Sequence, residues 1–296
     1  MLASELCASI DQLVVREMGA SVCFETARPV SGGCINQSIV VRTDGCQSLF
    51  VKCHEQAPNR FFESEAAGLD LIRRTGAVRV PAVVGYDVAH GGTSFLVLEW
   101  IEKGMAAPSF DSRFGRHLAE MHHLGFQDDF GWSQDNFLGS TLQPNGSHEN
   151  WIEFWRTCRL GHQFKLATEN RYGDQRFRWL AERLLSRLDE LLDHNVRPSL
   201  LHGDLWSGNY MADSAGKPVV LDPAVYYGDR EAEFGMTTLF GGLSSDFYAA
   251  YEEVWPLSAG SDERIEIYRL YHLLNHLNLF GTSYLAGCLK IMQKYA

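Results

Sequence analysis

The sequence predicts an α+β chain of two lobes, a small β-rich N-terminal lobe followed by a larger, mainly helical one. Three observations carry this. Short β-prone runs separated by turn residues crowd into roughly the first hundred residues. Beyond them, apolar residues recur at helical spacing. The 296 residues also exceed what one small core organises. A hydrophobic content of 45% and an aromatic content of 12% exclude a disordered or fibrous chain.

The elements follow in order. Leu6, Ile10, Leu13 and Val14 lay one apolar face along a helix over 4–18. Pro29-Val30-Ser31-Gly32-Gly33-Cys34-Ile35-Asn36, ahead of Ile39-Val40-Val41, reads as strand–turn–strand. Backbone N–H groups around Gly32 and Gly33 can cradle phosphate, although a plain hairpin turn is the simpler account. The strand over 48–53 carries Lys52 inside an apolar run, where an ammonium needs a partner. The next helix, over roughly 60–73, offers Glu65 on the face of Leu69 and Ile72. Glu63 competes for the same role, and a solvent-facing Lys52 is the plainer alternative. Residues 80–86 read as an edge-like strand with Pro81 at its start. The run 93–101 is the most apolar of the first half. Glu102-Lys103-Gly104 follows it, which sets the boundary near 102 and the lobes at 1–101 and 102–296.

In the second half, Phe110, Phe114, Leu118 and Met121 share a helix face near His117, His122 and His123. No metal-ligand spacing recruits these histidines, so they read as structural or surface groups. Residues 130–146 mix turn formers with aromatics, the make-up of a loop that packs over a site. Helices are expected over 149–169, 175–194, 244–255 and 262–280.

The chemistry concentrates in His202-Gly203-Asp204-Leu205-Trp206-Ser207-Gly208-Asn209 and in Val219-Val220-Leu221-Asp222, whose Asp stands thirteen residues after Asn209. Two carboxylates and an amide stand at the ends of short apolar runs. Phosphoryl transfer needs one Asp to accept the hydrogen bond of the attacking hydroxyl, and an Asn and a second Asp to hold Mg²⁺ against the nucleotide phosphates. Asp204 fits the first role, and Asn209 and Asp222 the second. An ordinary polar hairpin is the bland alternative to either half taken alone.

The formal net charge of −11 disfavours nucleic acid and anionic membranes as partners. It suits a cationic substrate, although solubility is the simpler reason for an acidic surface. Seven cysteines lie dispersed without CxxC spacing, as in a reducing compartment. The N-terminus shows no signal-peptide pattern, and no apolar run approaches the ~20 residues of a membrane span. A cytoplasmic location is expected.

Taken in order, Lys52, Glu65, His202-Gly203-Asp204, Asn209 and Asp222 resemble a protein kinase-like phosphotransferase, in the form used by the aminoglycoside phosphotransferase and choline kinase branch. The flanking residues narrow this. Gly32-Gly33-Cys34-Ile35-Asn36, Asp204-Leu205-Trp206-Ser207-Gly208-Asn209, Asp222-Pro223-Ala224-Val225-Tyr226-Tyr227-Gly228-Asp229-Arg230-Glu231 and Tyr271-His272-Leu273-Leu274-Asn275-His276-Leu277-Asn278 are similar to the fructosamine kinase (ketosamine 3-kinase) family. So are Gly131-Trp132, Asp135-Asn136 and Arg159-Leu160.

That resemblance implies a two-lobed kinase-like fold and transfer of the γ-phosphate of ATP to the C3 hydroxyl of a ketosamine, the sugar adduct of lysine or another amine. The unstable product then frees the amine, which is deglycation. Asp204 becomes the catalytic base, Asn209 and Asp222 the Mg²⁺ ligands, and Lys52 the phosphate-contacting lysine with Glu65 as its partner. The Gly32, Gly33 and Cys34 loop falls over the phosphates, and Glu99, Trp100 and Ile101 fall at the adenine hinge within 99–104. Trp206 and Asp229 lie on the substrate side. Asp222-Pro223-Ala224 replaces Asp-Phe-Gly, which removes the basis for a Phe-driven switch. The implied partners are ketosamine metabolites or glycated proteins. The chain is expected to be a monomer, with a redox-linked dimer through Cys34 as the alternative, since a thiol among backbone N–H groups favours thiolate. Two other readings stay open: a kinase for an aminoglycoside, choline or other amino-alcohol, and a nucleotide-binding scaffold without turnover.

Overall fold

A computed structural model describes residues 3–30 and 36–296, which form two compact units. The first runs to Phe110 and takes in Gly208–Pro223; the second comprises Asp111–Ser207 and Ala224–Ala296.

The first unit begins with helix α1 (Ser4–Met18), which ends at Gly19 in the left-handed region, a conformation that costs glycine nothing. Strands β1 (Val22–Pro29), β2 (Gln37–Thr43), β3 (Ser48–His54), β4 (Val83–Val88) and β5 (Ser94–Glu99) form an antiparallel sheet in the order β1-β2-β3-β5-β4, with helix α2 (Phe61–Thr75) between β3 and β4. Alternation along β3 sends Leu49, Val51 and Cys53 into one core with Val41, Phe95 and Val97, covered by the Leu6–Ile10–Leu13–Val14 face of α1. Lys52 therefore points to the opposite face, between Ser38 of β2 and Leu96 of β5 in register. The edge strand begins at Val83, two residues after Pro81, which has no N–H to give a ladder. The unit continues past residue 101 for an identifiable reason. Lys103 bridges to Asp213, the Gly104 N–H donates to the Ala212 carbonyl at 2.9 Å, and Phe110 packs against Tyr210.

The second unit is mainly helical. It comprises α3 (Phe110–Leu124, whose first residue belongs to the first unit), α4 (Trp151–Phe154), α5 (His162–Glu169), α6 (Gln175–Ser186), α7 (Leu188–Leu191), α8 (Glu231–Thr237), α9 (Ser245–Val254), α10 (Ser261–Phe280) and α11 (Leu285–Tyr295). Between α4 and α5 the chain winds as a π-helix over Trp155–Gly161, so the expected 149–169 helix is continuous in path but widened in its middle. Four short strands, Phe130–Trp132, Gly146–His148, Ser199–Leu201 and Tyr226–Gly228, make a small antiparallel sheet. Around it Phe154, Trp155, Leu160, Phe177, Leu184, Leu201, Tyr226, Tyr268, Tyr271 and Leu274 form the larger core. Among the described residues, no helix is long and apolar enough to cross a membrane.

Candidate active site

In the first unit the site grows from Lys52. Its side chain is 4% exposed, and its ammonium lies 2.7 Å from Glu65 Oε1 and 3.1 Å from Asp222 Oδ1. Burial disfavours the ammonium, but the charges of Asp222 and Glu65 and their hydrogen bonds outweigh it, so the Lys52 pKa stands above its ordinary value. Burial, reinforced by the nearby Asp222 charge, pushes Glu65 up against the opposing pull of Lys52. The competitor Glu63 points elsewhere, into an exposed pair with Arg60 at 2.8 Å. Two residues, about half a turn of α2, separate an outward carboxylate from the inward one.

Asn209 and Asp222 come together through a hairpin. Tyr210–Ala212 pairs antiparallel with Pro218–Val220, and beyond the paired strands the Leu221 N–H donates to the Asn209 carbonyl at 2.9 Å. The residues that flank the hairpin are thus held side by side. Asn209 is buried, whereas Asp222 is 44% exposed and takes a left-handed backbone with φ of 52°. Asp tolerates that region better than most side chains, at a cost of about 1–3 kcal/mol, and such strain collects at functional sites. An amide oxygen and a carboxylate are the hard donors that Mg²⁺ prefers, so this pair fits the ion.

At the far end of β5, Glu99 accepts from Arg79 at 2.8 Å and from the Ala82 N–H at 3.1 Å, while Arg79 also pairs with Asp213 at 2.7 Å. Trp100 packs near Phe50 and Arg28, and Ile101 is buried. Gly32, Gly33 and Cys34 lie outside the described residues.

The second unit carries Asp204. Ser199–Leu201 delivers His202, Gly203 and Asp204 into a tight turn in which Gly203 has φ of 81°. A Cβ there would stand 2.1 Å from the Ala224 carbonyl oxygen, so only glycine fits. The turn hangs from one buried carboxylate. Glu233, on α8, accepts the His202 N–H at 2.6 Å and the Gly203 N–H at 3.1 Å. His122 approaches the same carboxylate at 3.4 Å and bonds the Tyr251 hydroxyl at 2.8 Å through its other ring nitrogen. Burial alone would raise the Glu233 pKa, but the His122 hydrogen bond and the charges of His122 and His202 bring it below the usual carboxylate value. Asp204 itself is half-buried.

The backbone after Pro223 is held as closely. The Ala224 N–H donates to the His202 carbonyl at 2.8 Å, Gln143 donates to the Ala224 carbonyl at 3.0 Å, and Asn136 donates to the Val225 carbonyl at 2.8 Å. Tyr271 donates to Gln143 at 2.7 Å; burial is the main reason its phenol is pushed up to about 12, with the Asp204 charge adding to it. Arg159, wholly buried on the π-helix, donates to the Pro144 carbonyl at 2.6 Å and to Asn145 Oδ1 at 2.7 Å. Its guanidinium stacks 4.1 Å from the Tyr226 ring centroid and 4.4 Å from that of Phe154.

Trp206, 37% exposed, stands two residues from Asp204. Asp229 faces inward: it is 3% exposed, accepts from Tyr268 at 2.6 Å and pairs with His194 at 2.8 Å. His194, Asp229 and Glu231 cluster closely enough to suggest a metal site, but Arg264 already grips Glu231 at 2.6 and 2.9 Å and serves as the cation there.

Comparison with known proteins gives the family and the fold. The profile of the fructosamine kinase family matches residues 6–296. A chloroplastic protein-ribulosamine 3-kinase of Oryza sativa subsp. japonica is 42% identical over 268 residues, covering 90% of this chain and 77% of that protein. A crystal structure of a Haemophilus somnus 129PT protein assigned as a fructosamine-3-kinase superposes with a TM-score of 0.87 at 31% identity, over 97% of this chain and 96% of that one. The aminoglycoside phosphotransferase APH(4)-Ia superposes with a TM-score of 0.62 at 14% identity, over 98% and 99% of the two chains, which is a likeness of fold: the α+β, two-lobed, kinase-like fold. The chain belongs to the fructosamine kinase family of ATP-dependent phosphotransferases.

Proposed function

We propose that this chain transfers the γ-phosphate of ATP to the C3 hydroxyl of ketosamines, the ribulosamine, erythrulosamine or fructosamine adducts of lysine and other amines, and so begins their deglycation. The observation that carries the reading is the buried Lys52 ammonium, held between Glu65 at 2.7 Å and Asp222 at 3.1 Å. A solvated surface lysine has no reason to be there, whereas a lysine aimed at phosphate oxygens does. The relative named for ribulosamine supports the choice of acceptor.

The protein is asked for alignment more than for covalent chemistry. Asp204 accepts the hydrogen bond of the attacking hydroxyl. Glu233 fixes where Asp204 stands by holding the two N–H groups before it. Lys52 neutralises phosphate charge, and Glu65 keeps its ammonium from swinging away. Asn209 and Asp222 would hold Mg²⁺, which when bound supplies further neutralisation of the phosphate oxygens. Glu99, Trp100 and Ile101 border the adenine, and the loop of Gly32, Gly33 and Cys34 borders the phosphates. Trp206 offers a ring face to the sugar or its ammonium. The first unit, to Phe110 with Gly208–Pro223, acts as the nucleotide-binding half, and the second as the catalytic and substrate-binding half. The substrate is a free metabolite or a glycated protein.

The test is ³¹P NMR of product mixtures from ATP and Mg²⁺ with ribulose-lysine, fructose-lysine and an aminoglycoside. A new phosphate-ester resonance with a ketosamine is expected. Ester formation with the aminoglycoside alone would overturn the acceptor assignment, and its absence with all three would overturn the enzymatic reading.

A further inference from the structure

Five aromatic rings of the second unit are linked by contact to one another, beginning at Trp206 beside Asp204. Trp206 lies 6.3 Å from Phe240, centroid to centroid, and Phe240 lies 4.9 Å from His276. His276 in turn lies 5.4 Å from Phe280 and 5.1 Å from Tyr284. They come from separate parts of the chain. Trp206 is on the turn, Phe240 follows α8, His276 and Phe280 are on α10, and Tyr284 returns after Gly281 breaks the helix with φ of 90°. Packing explains only part of this. Trp206, Phe240 and Phe280 are 37%, 42% and 53% exposed, and large exposed rings gathered in one place mark a binding surface more often than a fold requirement.

Resting on the ketosamine reading above, we infer that the ladder Phe240–His276–Phe280–Tyr284 is the subsite for the amine half of the substrate, and that it favours amines carrying a second positive charge. In a ketosamine the nitrogen is three bonds from C3, so with C3 at Asp204 the ammonium falls beside Trp206. Whatever the nitrogen carries must continue outward, and the rings continue with it. Their faces attract cations, and the imidazole in their midst adds an acceptor. His276 Nδ1 lies 2.8 Å from the His272 carbonyl, to which it donates, so the neutral ring leaves Nε2 with a lone pair. Burial lowers the His276 pKa and so favours that neutral form. A chain of formal net charge −11 also suits a cationic substituent.

The experiment compares kcat/KM for one pentulose joined to methylamine, to pentylamine and to 1,5-diaminopentane. Wild-type protein is expected to prefer the diamine adduct over the pentylamine adduct. Phe240→Ala and Phe280→Ala should each reduce that preference about two- to five-fold, as for an exposed cation–π contact. Phe280→Tyr should keep it and Phe280→Leu should not. Because the measure is a ratio within one preparation, a partly folded variant does not distort it. Equal preference in wild type, or a ratio unmoved by Phe280→Ala and Phe240→Ala, overturns the ladder and leaves ketosamine phosphorylation standing. Phosphorylation of none of the three adducts, or of ribulose-lysine, overturns the reading on which the ladder rests.

Discussion

The Glu233 carboxylate accepts the backbone N–H of His202 at 2.6 Å, thirty-one positions earlier in the chain, and takes the next N–H, of Gly203, with its second oxygen at 3.1 Å. A side chain that touches no reactant thereby sets where Asp204 begins. The arrangement needs two acceptor oxygens on one group, which a carboxylate has and an amide lacks.

Glu233→Gln retains the shape but leaves one buried N–H facing a donor, a loss of about 1–3 kcal/mol. The expected result is a fall in kcat of about 10²-fold from misplacement of the base, with KM for ATP little changed. Steady-state kinetics decides it. A kcat within two-fold of wild type would show that the turn holds its place without Glu233.

Asp204→Asn should keep nucleotide affinity and lose transfer by about 10²–10⁴-fold, the range of a general base. Calorimetric titration with ATP measures the first and phosphate-ester formation the second. Near-normal turnover would remove Asp204 from the role of base.

Lys52→Ala leaves the buried Glu65 carboxylate beside Asp222 with no cation between them. Breaking a buried pair in this way costs about 3–5 kcal/mol. The double change Lys52→Ala with Glu65→Leu should recover much of that stability in urea unfolding and none of the activity. If the double variant is no more stable than the single one, the loss does not come from the stranded charge.

Stability against acid should reflect His272. Burial holds its imidazole down to about 3, from an ordinary value of 6.5, and its Nδ1 has no hydrogen-bond partner among the described residues. The neutral form is the folded form, so the unfolded chain takes up a proton first as pH falls. The stabilisation is fully present above pH 6.5 and is lost between there and about 3, at up to about 1.4 kcal/mol per pH unit. His272→Leu should flatten that limb of the stability profile measured by urea titration from pH 7 to 4. An unchanged slope would place the acid sensitivity elsewhere.

Lys52 was readable in advance because a charge inside an apolar strand demands a partner, and helical spacing nominated Glu65. The apolar run 219–221 that delivers Asp222 was readable, but the strand Tyr210–Ala212 that pairs with Pro218–Val220 and sets Asn209 beside Asp222 was not, since three residues make too short a run to stand out. Glu233 was not, since nothing local distinguishes it from Glu231, and its partner lies far away in sequence. Asp229 stood in a segment whose resemblance pointed toward substrate, yet Tyr268 and His194 draw it inward. The π-helix over Trp155–Gly161 is not legible in the sequence either, because hydrophobic spacing over 149–169 fits an ordinary helix nearly as well. Choices between Glu63 and Glu65, or Glu231 and Glu233, depend on which way one turn faces, and only long-range packing settles that.

Arg159 pairs with no carboxylate among the described residues; carbonyl and amide oxygens and the faces of Tyr226 and Phe154 hold it instead. None of those partners gains or loses a proton between mildly acidic and alkaline solution, and none is displaced by dissolved ions as a surface carboxylate is. The segment around Pro144 and Asn145 should therefore keep its anchorage in high salt and at pH 4, after the exposed ion pairs have weakened.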